Sequence, residues 1–565
     1  MIGEDISDDD YQRALTMWNR YDMQNRRQYH DFYLTTDVLL LVDVFESFRQ
    51  TMMDDNGLDC LHYSTLPSMT LQMALKIIGV ELDLICNPDM YLMIESGIRG
   101  GLSYVAERYA RANVASLPDY DAEQPTSYLT YLDCNSLYAT CQTQALPVGD
   151  FRFLTAEEIR SFDLFSVSAE ADRGYILEVD LKYPESLHDL HNAYPMAPDH
   201  LRIEEKMLSA TVGEMQRETG SQWHPTTKLV SNLYDKTRYV THYRCLQFYL
   251  NHGLELTKIH RIVSFTQRPF MLPFIEYCNR RRRDATSDFE SGLYKLFANA
   301  FFGKTCENVR NRVNLQLVAD PDKLVRLASK ATFKRSEIIN SDLVLVEAAR
   351  TKIELNKPIA IGFSILELSK LIMYQFYYDC LLPKYGDKLQ LCFTDTDSFI
   401  CHIETNDLHA DMTEISQWFD TSNFDKDHPL FSNANKRVLG KFKSETGDSL
   451  PSEFCGLRSK MYSLFTPSEN ASKSFLKAKG VPKSYVKKHV RHEQYLHVLN
   501  SRSVTKCKFA SFKSKRHQVT TREMTKICLS CIDDKRYLLA DGIRSLAYGH
   551  RDIATMETST ATAMD

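Results

Sequence analysis

The sequence predicts an α+β fold, and three observations predict it. Of 565 residues, 43% are hydrophobic, enough for a large core and too many for a disordered chain. Strand-like and helix-like apolar runs follow one another irregularly, without the regular alternation that builds a parallel sheet. No Pro/Gly/Ser tract is long enough to separate modules, so the three or four units implied by this length pack together. Internal repeats and low-complexity tracts are absent.

Residues 29–46 read as a helix with a strongly apolar face. Residues 95–104 form a glycine-broken loop. Residues 128–133 are a short apolar strand ending in a carboxylate, followed by a turn at 136–138. Between 151 and 270, strands at 174–181 and 257–265 alternate with polar loops. Residues 271–310 are helical and carry four consecutive arginines, Arg280 to Arg283. A long apolar helix spans about 361–382, and after a break at 384–387 comes a strand–turn–strand over 389–403.

Net charge is −6, from 68 basic and 74 acidic residues, which alone argues against a nucleic-acid protein. The distribution argues the other way. Residues 1–60 carry thirteen Asp/Glu against five Arg, a balance of −8, and residues 471–520 carry thirteen Lys/Arg against one Glu, a balance of +12. A basic surface near the end can follow a phosphate backbone, although a solvated lysine-rich face has the same composition. The most apolar early run, 38–44, is interrupted by Asp43, and no run of roughly 18 apolar residues occurs, so no membrane partner is expected. The acidic first residues (Glu4, Asp5, Asp8, Asp9, Asp10) do not fit a signal or transit peptide. Fourteen cysteines without framework spacing imply a reduced, intracellular setting. The one CxxC, Cys528 to Cys531, has no second pair to complete a zinc site.

The sharpest local signal is Asp395-Thr396-Asp397. Two carboxylates at i and i+2 between apolar strands are costly near a core unless they bind a cation. Projecting from a hairpin, they offer hard oxygen ligands suited to Mg²⁺. The tripeptide also occurs in glycosyltransferases and in exposed acidic turns. Asp133 ends a second apolar strand, and two strands delivering acids to one point can hold two metal ions about 4 Å apart for phosphoryl transfer. Lys295 adds a fixed cation on a helix, with Asn299 and Gly303 at i+4 and i+8 on its face.

In this order, Asp133-Cys-Asn-Ser136-Leu137-Tyr138, Lys295-Leu-Phe-Ala-Asn299-Ala-Phe-Phe-Gly303 and Thr394-Asp395-Thr396-Asp397-Ser398 resemble motifs A, B and C of the family B DNA polymerases. Lys460-Met-Tyr462 resembles the K-x-Y element, and Arg99-Gly100-Gly101 the glycine motif of the protein-primed branch, which includes polymerases of viruses, linear plasmids and Maverick/Polinton-like transposons. The resemblance covers nearly the whole chain. Ala300 and Phe302 replace the usual Ser and Tyr of motif B, keeping shape and losing hydroxyls, and Ala139 replaces a Pro in motif A.

The resemblance implies a right-hand polymerase with an antiparallel-sheet palm, helical fingers and a basic thumb, after a remnant of an RNase H-like exonuclease domain. It divides the chain into an exonuclease remnant (1–60), a connector with the first palm segment (61–150) and an insertion like the terminal-protein region (151–270). Fingers (271–315), a second insertion with motif C (316–410), and the palm end with the thumb (411–565) follow. It implies that Asp133 and Asp397 are metal ligands, joined by the main-chain carbonyl of Cys134, with Asp395 in support and two Mg²⁺ ions, replaceable by Mn²⁺, as cofactors. Ser136, Leu137, Arg283, Lys295 and Asn299 would bind the nucleotide, and Tyr138 would be the steric gate against ribose. Arg99, Gly100, Gly101, Gly303, Thr396, Lys460 and Tyr462 would contact DNA, Lys460 and Tyr462 from one side of a strand.

The implied partners are a DNA primer–template, deoxynucleoside triphosphates and a terminal primer protein. The implied setting is the nucleus or a host-cell replication site, with no targeting signal. Tyr33 and Asp37 resemble exonuclease motif III (Y-x3-D), but no D-x-E stands among the 32 residues before Tyr33, so a truncated exonuclease domain without proofreading is expected. The rival readings are an inactive DNA-binding relic and a D-x-D glycosyltransferase. The latter has no use for Lys295 or the K-x-Y element. A reverse transcriptase would show adjacent aspartates where this chain has Asp-Thr-Asp.

Overall fold

A computed structural model describes residues 6–467, 473–515 and 518–562. Glu4 and Asp5 of the acidic front and Arg516 of the basic stretch lie outside the described residues.

At the centre is a six-stranded sheet in the order Ser103–Val105, Leu389–Asp395, Ser398–Glu404, Ser127–Cys134, Phe442–Ser444, Phe419–Asp420. Every neighbouring pair is antiparallel except the last. This is the palm expected from the motifs. Its strands are apolar runs rather than alternations because both faces are covered. On one face lies the helix Ile359–Gln375 with its continuation, where Phe376 stacks on Phe442 at 3.5 Å between ring centroids. On the other, Leu129, Phe393 and Ile400 pack against Phe454, Tyr462 and Leu464 of the sheet Lys473–Ala478, Met461–Thr466, Glu453–Arg458, Tyr109–Arg111.

The Ile359–Lys388 segment is long and apolar enough to cross a membrane by length and composition. It is instead the core helix, with 89% of its most apolar window buried.

The insertion at 151–270 supplies most of a four-stranded antiparallel sheet, Leu146–Phe153, Glu255–Arg268, Arg173–Lys182, Lys236–His242. It is tied to the core helix where Thr241 Oγ1 donates to Glu367 at 3.0 Å. The expected fingers are two helices, Leu272–Asp284 and Asp288–Thr305, the second started by Ser287, whose hydroxyl accepts from the Glu290 amide. Between motifs B and C, strands Asn314–Val318, Leu343–Ala348 and Phe333–Asn340 form a small sheet beside the helix Pro321–Ala328. Near the end, Val504–Lys515 and Gln518–Ser530 pair as a long two-stranded ribbon carrying Lys506, Lys508, Lys513 and Lys526.

Residues 29–46 fall inside a 31-residue helix, Arg26–Asn56, capped by Asn25 and closed by Gly57 in the left-handed region (φ 61°). Its apolar face does not pack as periodicity implies: Leu34 and the run from Val38 to Val42 are exposed. Its C-terminal end is anchored through Asp55 to Arg281 and Asn56 to the Tyr277 hydroxyl at 3.3 Å, and near its start Tyr29 and Phe32 meet Trp18 and Tyr21 of the preceding segment.

Candidate active site

The site is built by strand register. Ser398 stands opposite Asp133, so the hairpin carrying Asp395 and Asp397 and the strand carrying Asp133 end at one edge of the sheet. The Cys134 amide donates to the Asp397 carbonyl at 2.7 Å, locking the two motifs together. At the hairpin tip Thr396 is left-handed (φ 67°), a costly conformation for a β-branched residue. Its amide donates to the Leu102 carbonyl at 2.6 Å. Gly101 is required beside it, since a Cβ there would meet Thr396 Oγ1 at 2.4 Å. The glycine motif therefore cradles the turn that carries the acids.

The carboxylates repel one another. Burial, then Asp397 and Glu445, push Asp133 up to about 8, and Lys295 opposes the rise. Burial also raises Asp397, with Asp395 adding to the rise and Lys295 and Lys460 opposing it. Lys295 thus bears on both acids from the fingers helix. Asp395 is drawn aside into an ion pair with Lys460 at 2.6 Å, and one oxygen from each of the three aspartates does not fall within 4.8 Å of the other two. Among the described residues, the set that does is Asp189, His550 and Asp552, where Arg551 already pairs with both acids.

Tyr138 stacks on Phe302 at 4.2 Å between centroids, joining motif A to motif B. Buried Gln142 strengthens that joint, donating to the Ala298 carbonyl at 2.9 Å and the Tyr138 carbonyl at 3.2 Å. Leu137 is buried and Ser136, left-handed at φ 51°, caps the short helix Leu137–Gln142. Asn299 is half-buried and Gly303 exposed on the same helix as Lys295, while Arg283 is exposed at the end of the other fingers helix.

Two expectations are corrected. Arg99 does not face a DNA surface: it is buried, donates to the carbonyls of Gly97 and Val240, and lies 3.9 Å over the Tyr239 ring. Gly100 and Gly101 beside it are exposed. Lys460 and Tyr462 do not share a strand face either. Lys460 sits in the turn before its strand (φ 59°) with its side chain half-exposed, whereas Tyr462 is 2% exposed and hydrogen-bonded to the Tyr131 hydroxyl at 2.9 Å. Tyr33 and Asp37 are exposed one turn apart on the Arg26–Asn56 helix, and among the described residues Asp37 joins no group of three ligand atoms that close. Cys528 and Cys531 are buried free thiols.

No local pattern marks Glu445 as a site residue. It acts on Asp133 from just beyond Phe442–Ser444, a strand whose pairing with Ser127–Cys134 local pattern does not reveal.

Among solved structures, Phi29 DNA polymerase with primer-template DNA and incoming nucleotides is similar at 13% identity, covering 85% of this chain and 70% of that one, with a TM-score of 0.48. Its binary complex with primer-template DNA gives 14%, 85%, 70% and 0.47, and its complex with single-stranded DNA gives 14%, 84%, 69% and 0.48. No curated protein matches the chain. The family model of DNA polymerase type B, organellar and viral, matches residues 7–379. That match takes in motifs A and B and two-thirds of the sequence: the chain belongs to the organellar and viral type B DNA polymerases.

Proposed function

We propose that this chain adds deoxynucleotides to a primer 3′-hydroxyl under direction of a DNA template, in replication of a virus-like or transposable element. The observation that carries the reading is the register that sets Asp133 against Ser398, with Lys295 bearing on both Asp133 and Asp397.

The donor set fits divalent metal. Asp133 and Asp397 offer hard oxygens, and their repulsion in a half-buried site is what a doubly charged cation relieves. They and the Cys134 carbonyl would hold two Mg²⁺, with Mn²⁺ as substitute. Bound there, the ions supply acidification of the 3′-hydroxyl and neutralisation of the leaving phosphates. Lys295 and Arg283 grip the triphosphate, with the Ser136 and Leu137 amides on its oxygens. Tyr138, fixed by Phe302, lies under the sugar and excludes a 2′-hydroxyl, and Asn299 and Gly303 face the new base pair. Gly100, Gly101, Thr396 and Lys460 border the primer–template, and the basic ribbon follows duplex phosphates. Tyr462 acts from beneath, holding Tyr131 under the acids. A terminal primer protein would dock on the 151–270 insertion.

The test is extension of a templated DNA primer with Mg²⁺ by the wild type and by Asp397→Ala. Template-matched extension by the wild type alone supports the reading. No extension by either makes the chain an inactive DNA-binding relative.

A further inference from the structure

Lys535 stands outside every motif, in the segment that follows the ribbon strand Gln518–Ser530, yet its side chain ends on the strand beside the acids. That strand, Ser103–Val105, is an edge of the palm sheet, and its Ser103 stands opposite Asp395. The Lys535 ammonium donates to the Ser103 carbonyl at 2.8 Å. At the same residue the Ser459 hydroxyl donates to the Ser103 hydroxyl at 2.8 Å, and Lys460, next in the chain, pairs with Asp395 at 2.6 Å. One residue earlier, the Leu102 carbonyl takes the Thr396 amide. Ser103 is thus the point where the motif C turn, the K-x-Y turn and the chain leaving the ribbon meet.

The segment that carries Lys535 is fastened on both sides of it. Arg108, fully buried, donates to the Cys531 carbonyl at 2.7 Å and to the carbonyls of Gly456 and Leu457 at 3.3 and 3.1 Å, on the strand that leads into the Lys460 turn. Buried Asp533 accepts from the Lys535 amide at 3.3 Å, and Asp534 pairs with Lys228 of the insertion. Arg536 donates to Ser545 Oγ at 2.7 Å and to Asn192 Oδ1 at 3.1 Å, and lies 5.4 Å over the ring of Tyr104, the residue after Ser103. Lys535 itself is half-buried, and burial depresses its pKa while Asp533 opposes the fall. Taking an ammonium out of water costs free energy that an apolar side chain of the same length avoids. What lysine adds at this position is its bond to the edge strand.

We propose that Lys535 is a positioning residue for nucleotide addition, holding the edge strand at Ser103 so that the Asp395-Thr396-Asp397 turn keeps its place beside Asp133. It acts through the backbone. With the Ser103 carbonyl released, the edge strand is free to slide against Leu389–Asp395, and the Leu102–Thr396 bond and the close approach of Gly101 to Thr396 move with it. The effect on turnover rests on the polymerase reading; the effect on divalent-ion binding at the acids is read separately.

The test compares the full chains of wild type, Lys535→Met and Lys535→Arg in single-nucleotide primer extension and in Mn²⁺ titration followed by electron paramagnetic resonance. Met keeps the length of the stem and loses the donor, whereas Arg keeps a donor, so thermal melts of all three should agree. Lys535→Met is expected to lower kcat about tenfold and to bind Mn²⁺ about tenfold more weakly, with the nucleotide KM and the primer–template Kd within about twofold of wild type. Lys535→Arg should recover most of both losses. Unchanged kcat and Mn²⁺ affinity in Lys535→Met, a loss that Lys535→Arg does not recover, or a loss confined to the primer–template Kd overturns the proposal. Should Lys535→Met fail to fold, Ser459→Ala takes its place: it removes the other side-chain tie to Ser103 and is expected to lower kcat and Mn²⁺ affinity about threefold, and no change in either overturns the proposal. A wild type that binds Mn²⁺ but extends no primer removes the polymerase reading, and the proposal then stands or falls on the Mn²⁺ affinities.

Discussion

Replacing Asp133 by Asn should stabilise the metal-free protein while abolishing its proposed chemistry. The sign follows from linkage. Asp133 titrates near 8 in the folded chain against an ordinary 3.8, so between those values the folded state holds a proton that the unfolded state has released. Stability therefore falls as pH rises through that window, by about 1.4 kcal/mol per pH unit. From 3.8 to pH 7 this sums to roughly 4 kcal/mol, and halving it for water reaching a half-buried carboxylate leaves about 2 kcal/mol. Asn carries no such term, and the strand pairing at this position is main-chain.

In a chain of this length, about 2 kcal/mol moves a melting transition by roughly 2 °C. In EDTA the Asn variant should melt roughly 2 °C above the wild type at pH 7 to 8, and the gap should close near pH 4. Mg²⁺ should raise the wild type and leave the variant in place. A variant that melts at or below the wild type at pH 8 in EDTA, or Mg²⁺ raising both equally, would show that Asp133 carries no such proton-linked cost.

Lys295→Ala should lower kcat/KM for nucleotide addition by about 10²- to 10³-fold, read in steady-state primer extension, because the fingers lose their cation over the acids. Tyr138→Ala should leave deoxynucleotide addition within about tenfold and raise ribonucleotide incorporation by about 10²-fold if, as proposed, the ring that stacks on Phe302 excludes the 2′-hydroxyl. Gly101→Ala should cost about 1–3 kcal/mol of stability and disturb extension, because its Cβ would lie 2.4 Å from Thr396 Oγ1 at the hairpin tip; chemical melts with paired activity assays check both.

Much of the palm is legible from local pattern. Apolar runs ending in Asp133 and Asp395 became strands of one sheet with Ser398–Glu404 between them, because a strand that is buried on both faces declares itself by composition and ends where polarity returns. The 271–310 region read as continuously helical but breaks at Ala285, with Ser287 capping a second helix. What failed depended on distant partners. Arg99 reads as a free cation until Tyr239, 140 residues on, stacks beneath it. Lys460 and Tyr462 alternate in sequence, but a left-handed turn at Lys460 breaks the alternation in space. Periodicity marked the 29–46 face as apolar without saying what would cover it. Glu445 reaches the site through the pairing of Phe442–Ser444 with motif A, a register absent from any local pattern.

On the proposed function, Asp133 and Asp397 together hold the divalent ions of nucleotide addition under Lys295. Counting Mn²⁺ by electron paramagnetic resonance, with a dideoxy-terminated primer–template and the matching nucleotide bound, tests it most directly. Two ions per wild-type chain are expected, with both lost or strongly weakened in Asp133→Ala and in Asp397→Ala. Two ions retained unchanged in either variant would contradict the account.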